Sequence, residues 1–133
     1  MKTVIAAATL AAFVLAAPAA HAKSGDWLPD KTMIARMEAV LKMPKGAIPL
    51  GAFDRFYTGV MVGKDGVPGH VPTGHRVIWA EYVLPNMHSM LPGLHIVPWD
   101  GMPSIDDGGC SVVNAYYDVE TARVAYIACN GYA

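Results

Sequence analysis

The sequence predicts an α+β domain: one N-terminal amphipathic helix packed on a curved antiparallel sheet of about four strands. Two observations and one packing rule predict it. One stretch, Lys31 to Lys42, carries apolar residues at helical spacing. Later stretches, above all His75 to Leu84 and Cys110 to Ile127, are rich in β-branched and aromatic residues and alternate as strands do. A single helix laid across a single sheet is the economical way to bury both apolar surfaces.

The chain opens on an export signature. Lys2 supplies a positive start, Val4 to Ala17 is an apolar run, Pro18 breaks it, and Ala20-His21-Ala22 is an A-x-A cleavage site. The run is too short and too Ala-rich for a membrane span. Residues 1–22 are therefore expected to be a signal peptide, and residues 23–133 one small domain, periplasmic or secreted. Removing Lys2 with the leader leaves nine basic side chains against eleven acidic ones. Nucleic acid and anionic membranes both require a positive footprint. The expected partner is a protein or a small ligand, with no nucleic acid and no membrane span after the leader is removed.

Each element then has its own warrant. Asp30 is an N-cap, and Met33, Ile34, Met37, Val40 and Leu41 form one apolar stripe. Pro44 and Gly46 end the helix. From Ala52 to Val62 the period is mixed; the second half reads as a strand, while Phe53 to Tyr57 fits either an extended start or a helical turn. Gly63 to Gly74 is a loop with four glycines and two prolines. In the strand from His75 to Leu84, Arg76, Ile78, Ala80, Tyr82 and Leu84 face one way, and Val77, Trp79, Glu81 and Val83 the other. Both sets are largely apolar, which places this strand centrally in its sheet. Pro85 to Gly109 holds four prolines and is irregular, with Leu94 to Val97 its one short strand candidate.

The last pair of strands is a hairpin turning at Asp118 to Ala122, with Asp118 able to bond its own downstream backbone. With Val119 and Glu120 as the loop, Cys110 faces Cys129. With a loop two residues longer, the cysteines sit diagonally. In either register they share a face. Opposed Cβ atoms lie about 4.5–5.5 Å apart, and a disulfide needs roughly 3.5–4.5 Å, so a bridge requires local twist or a bulge. Two cysteines in an exported domain favour that bridge. The whole arrangement is of the cystatin or nuclear-transport-factor-2-like kind, an analogy of fold that carries no function.

No catalytic constellation is present. There is no G-x-S-x-G elbow and no H-E-x-x-H pair. Asp106 and Asp107 are chain neighbours and point apart. No resident cofactor is expected. Copper is the alternative: Met87, His88, Met90 and His95 gather the thioether and imidazole donors that suit Cu(I), although methionines there equally serve as adaptable core. Recognition is the leading expectation. Trp99 sits on a proline-stiffened segment with His95 and Asp100 beside it, inside the long Met87–Asp107 loop. The competing role for Trp99 is to fold back and cap the sheet. The expected function is an exported binding or inhibitory module without catalytic activity, the alternative a periplasmic Met/His copper-binding protein.

Asp107-Gly108-Gly109-Cys110, then Tyr117-Asp118, Arg123-Val124 and Cys129-Asn130-Gly131, resemble the C-terminal pattern of small exported bacterial proteins of unassigned function. Pro92 to Val97 and the strand from His75 to Leu84 are similar to that group as well. The resemblance covers about half of the chain after the leader. It implies export and a paired-cysteine hairpin, with Gly common in the turn where this chain has Ala122, and it implies no activity. Asn130 and Gly131 read as turn residues.

Overall fold

The computed structural model describes residues 27–87 and 93–131. The expected signal peptide lies outside the described residues. Helix α1 spans Lys31–Val40. Asp30 caps it, its carboxylate accepting from the Met33 amide at 2.8 Å. Leu41 is already extended, so the helix stops two residues before the predicted end. Five strands follow among the described residues: β1 (Asp54–Met61), β2 (Arg76–Val83), β3 (Leu94–Ile96), β4 (Val112–Asp118) and β5 (Arg123–Cys129). They form one sheet in the order β3-β1-β2-β4-β5.

Three parts of the expected fold class are overturned. The sheet has five strands rather than about four, and it is mixed, because β3 runs parallel to β1. The helix is not at the start of the chain. The parallel strand has a simple cause. Antiparallel pairing puts Val83, the end of β2, opposite Asp54, the start of β1. A chain leaving β2 there enters the outer edge of β1 at its first residue and runs alongside it. Asp54 and Arg55 fix the entry: the Asp54 carboxylate accepts from the Gly93 amide at 2.7 Å, and the Arg55 amide donates to the Gly93 carbonyl at 2.8 Å.

β2 is central, and its two faces separate as the alternation predicts. One face presents Ile78, Ala80 and Tyr82, with Tyr57 of β1 and Val113, Ala115 and Tyr117 of β4; Ile34 and Met37 of α1 pack into it. Glu38 ties helix to sheet by accepting from Arg55 at 2.7 Å and from the Tyr57 hydroxyl. Trp27 covers the same face over Gly59, where a Cβ would come within 2.1 Å of the Trp27 carbonyl oxygen. The other face is covered by loops. Val97, Met102 and Ile105 close over Phe56, Trp79, Val83 and Val112. Val67 and Val71, from the β1–β2 loop, pack with Val62 and Val77.

The hairpin adopts the longer of the two loops. Asp118 pairs with Arg123, leaving Val119 to Ala122 as the turn, with Ala122 at a left-handed φ of 53°. Between Tyr117↔Val124 and Tyr116↔Tyr126 the register slips, and Ala125 is the bulged residue. Cys110 and Cys129 are disulfide-bonded, with their Cα atoms 4.5 Å apart. They are not a cross-strand pair. Cys110 lies in the 3-10 turn Gly109–Ser111, before β4, while Cys129 ends β5 opposite Val113. Gly108 and Gly109, at φ 101° and 55°, let the chain curl back to reach it.

A candidate ligand-binding cleft

The register of the loop-covered face generates two rows of side chains running across the strands. One row is His95, Phe56, Glu81, Asn114 and Ala128; the next is Thr58, Trp79, Tyr116 and Tyr126. Period-two alternation puts each row on the same side of the sheet. Over β2, β4 and β5 the rows form the floor of a cleft of about 360 Å³. Pro68 lines one side from the β1–β2 loop, and Ser104, Ile105 and Asp106 line the other. The first wall is seated at the bulge of β5: a Cβ on Gly69 would come within 2.3 Å of the Ala125 carbonyl oxygen, so only glycine allows that approach.

The second wall is held from below by Glu81. This carboxylate is fully buried and its two oxygens accept one amide each, from Ser104 and Ile105, both at 2.9 Å. Ser104 adopts a left-handed φ of 51°, part of a turn that aims successive amides at one anion. Burial pushes the Glu81 carboxyl above the usual carboxylate range, the two amides pull it back in part, and the charge of Asp106 pushes it up further.

Amides complete the frame. The Trp79 indole donates to Asn114 at 2.8 Å, and Asn114 donates to Asn130 at 2.7 Å. Asn130 donates in turn to the carbonyls of Ile105 and Asp107. Along the second row the rings form a ladder. Trp99 meets Trp79 at 4.8 Å, Trp79 stacks with Tyr116 at 6.2 Å, and Tyr116 meets Tyr126 edge-on at 6.0 Å. Both ends of the ladder reach solvent, Trp99 at 53% exposure and Tyr126 at 39%. Burial, with the Glu81 charge next, pushes the Tyr116 phenol upward, so it stays neutral.

The expected binding residues are divided by this geometry. Trp99 lies on the 3-10 turn Trp99–Gly101, folded onto Trp79 as a cap on the sheet and still half exposed. Asp100 is exposed on the same turn. His95 is not brought to the cleft: it stacks on Phe56 at 4.7 Å, with its Nε2 buried and without a hydrogen-bond partner among the described residues. Met87 is partly exposed, its methyl close over Gly108. His88 and Met90 lie outside the described residues. Among the described residues, no group of three or more His, Cys, Asp or Glu is placed to hold a metal ion.

Glu81, Asn114, Tyr116 and Tyr126 were not singled out by the sequence. A signal for Glu81 was present: it alternates with Val77, Trp79 and Val83 on a strand whose two faces are both apolar, and a carboxylate there must find donors. Asn130 is more than a turn residue, since its amide stitches the loop wall to the end of β5. No protein-family model matches the chain, and no curated protein or solved structure matches it either.

Proposed function

We propose that this chain is a small exported binding module without catalytic activity, and that the cleft between the two loops is its ligand seat. One observation carries the reading: an aromatic ladder, open to solvent at both ends, runs along a cleft whose loop wall is fastened to a buried carboxylate. Preformed concavities with aromatic lining and few fixed polar groups are the usual form of small-ligand sites. Glu81, Asn114 and Asn130 are engaged in holding the wall, which supports binding over acid–base chemistry. The disulfide and the export signature support a site of action outside the cytoplasm. No helix among the described residues is long and apolar enough to cross a membrane.

The test uses the three tryptophans as reporters. Trp27 lies on the opposite face, while Trp79 and Trp99 belong to the ladder. The full chain, isotope-labelled, is titrated with separate panels of neutral sugars, amino acids and organic amines, and the indole signals are followed by NMR. Saturable shifts at Trp79 and Trp99, with Trp27 unmoved, are the expected result. No shift at Trp79 from any panel, or shifts confined to Trp27, would overturn the reading.

A further inference from the structure

We infer that the cleft selects an organic cation, an ammonium or guanidinium carried on an apolar body; this rests on the cleft being the ligand seat. The first reason is charge. The described residues lining the cleft include two carboxylates, Glu81 and Asp106, and no Lys, Arg or His. Asp106 is exposed on the wall, free to meet a ligand, while Glu81 lies beneath the Ser104 and Ile105 amides. The two charges repel across the wall. A cation entering between Asp106 and the floor relieves that repulsion, whereas an anion adds to it.

The second reason is the shape of the aromatic surface. Tyr116 lies nearly parallel to Trp79, with 6° between the ring planes, and Tyr126 stands at 68° to Tyr116. Two π faces set at a steep angle form a corner, and the negative face of each ring attracts a cation held within about 6 Å of its centroid. The body of the same ligand finds apolar cover against Pro68, Ile105 and Ala128, all in the lining. The side-chain amides of the lining are turned inward, away from an anion: Asn114 and Asn130 each donate to acceptors within the protein. Carboxylate on one wall, aromatic corner on the floor and apolar cover between them match a cation with a hydrocarbon body.

Free amines and the Lys or Arg side chains of a peptide share this chemistry. The experiment therefore has three arms read by indole NMR and by calorimetry on the full chain. The probes are choline, its uncharged isostere 3,3-dimethyl-1-butanol, and the tripeptide Gly-Arg-Gly with Gly-Gln-Gly as its control. The expected result is saturable binding at Trp79 by choline or by Gly-Arg-Gly, with the uncharged counterpart weaker by roughly tenfold or more. Choline binding points to a free amine, and binding of Gly-Arg-Gly alone to a peptide side chain. Asp106→Asn should weaken the cation roughly fivefold and flatten its salt dependence. Tyr126→Leu, at the exposed end of the ladder, should weaken it by a similar factor with the fold intact. Equal affinity for charged and uncharged partners, or no binding by either cation, overturns the inference. If neutral sugars then move Trp79, the cleft remains a ligand seat and only the cation assignment falls.

Discussion

Glu81 and Asp118 lie on the same face of the sheet and respond to acid in opposite senses. Glu81 has a raised carboxyl pKa, mainly from burial. Its stabilising contribution is complete below its unfolded value of about 4.3 and is lost as pH rises through the raised folded value. Asp118 is also buried, which pushes its carboxyl up, but hydrogen bonds from His75, Thr121 and the Glu120 amide together outweigh burial and hold it low. Its contribution is complete above about 3.9 and is lost as pH falls through the lowered folded value. Thermal unfolding across the acid range should separate them. The advantage of wild type over Glu81→Gln should shrink as pH rises, and its advantage over Asp118→Asn should shrink as pH falls. Two backbone positions make equally definite statements. Ala122 adopts a conformation that costs L-residues energy, so Ala122→Gly should stabilise the hairpin by up to about 1 kcal/mol in denaturant titration. Gly59→Ala would drive a methyl into the Trp27 backbone and should destabilise by about 1–3 kcal/mol, with Trp27 emission shifting to the red. At this scale the sequence is informative where geometry is local: the alternation of β2 assigns Trp79 and Glu81 to one face. It is silent where meaning depends on what lies opposite, and nothing in the chain near Glu81 announces that the Ser104 and Ile105 amides will meet it.

Among the elements, the β4–β5 hairpin shows what covalent chemistry adds. Its disulfide closes a loop with a sequence separation of 19. Removing it with Cys110→Ser and Cys129→Ser together should cost about 3 kcal/mol in equilibrium unfolding, a large share of the stability of a small domain. The cysteine pairing was legible because two cysteines in a domain with an export signature favour one bridge. The route was not: the bridge is made by a 3-10 turn ahead of β4, and the bulge at Ala125 shifts the pairing beyond Tyr117. The third strand was legible as a segment and illegible as a partner. Three residues carry too little pattern to choose a neighbour, and the choice is made by where β2 delivers the chain.

Over the whole molecule, one face of the sheet is closed by α1 and Trp27, and the other by two loops whose regular structure is limited to short 3-10 turns. This division explains why the sequence yields a helix-on-sheet picture and misses the cleft. The helix carries a periodic stripe that can be counted, whereas the loop-covered face depends on non-local register across β2, β4 and β5. Trp99 belongs to the loop-covered face, where its ring lies against a Trp79 that is only 7% exposed. Trp99→Ala should therefore leave the fold intact while moving Trp79 emission to the red, measured in a Trp27→Phe background. Unchanged emission would mean that other residues shield Trp79.

The end of β5 has a practical consequence. Cys129 is bonded to Cys110, Asn130 holds the carbonyls of Ile105 and Asp107, and the Gly131 carbonyl accepts from the Gly109 amide. Three successive residues thus moor the far wall of the cleft, like the knot at the end of a seam. A proteolytic clip after Ala128 would leave these residues tied to Cys110 through the disulfide, so only cleavage together with reduction would strip the moorings and leave Glu81 as the anchor of the wall. A fusion or immobilisation handle should accordingly be joined beyond Gly131 through a slack spacer, because tension on these residues would loosen the wall of the cleft before it unfolded the sheet.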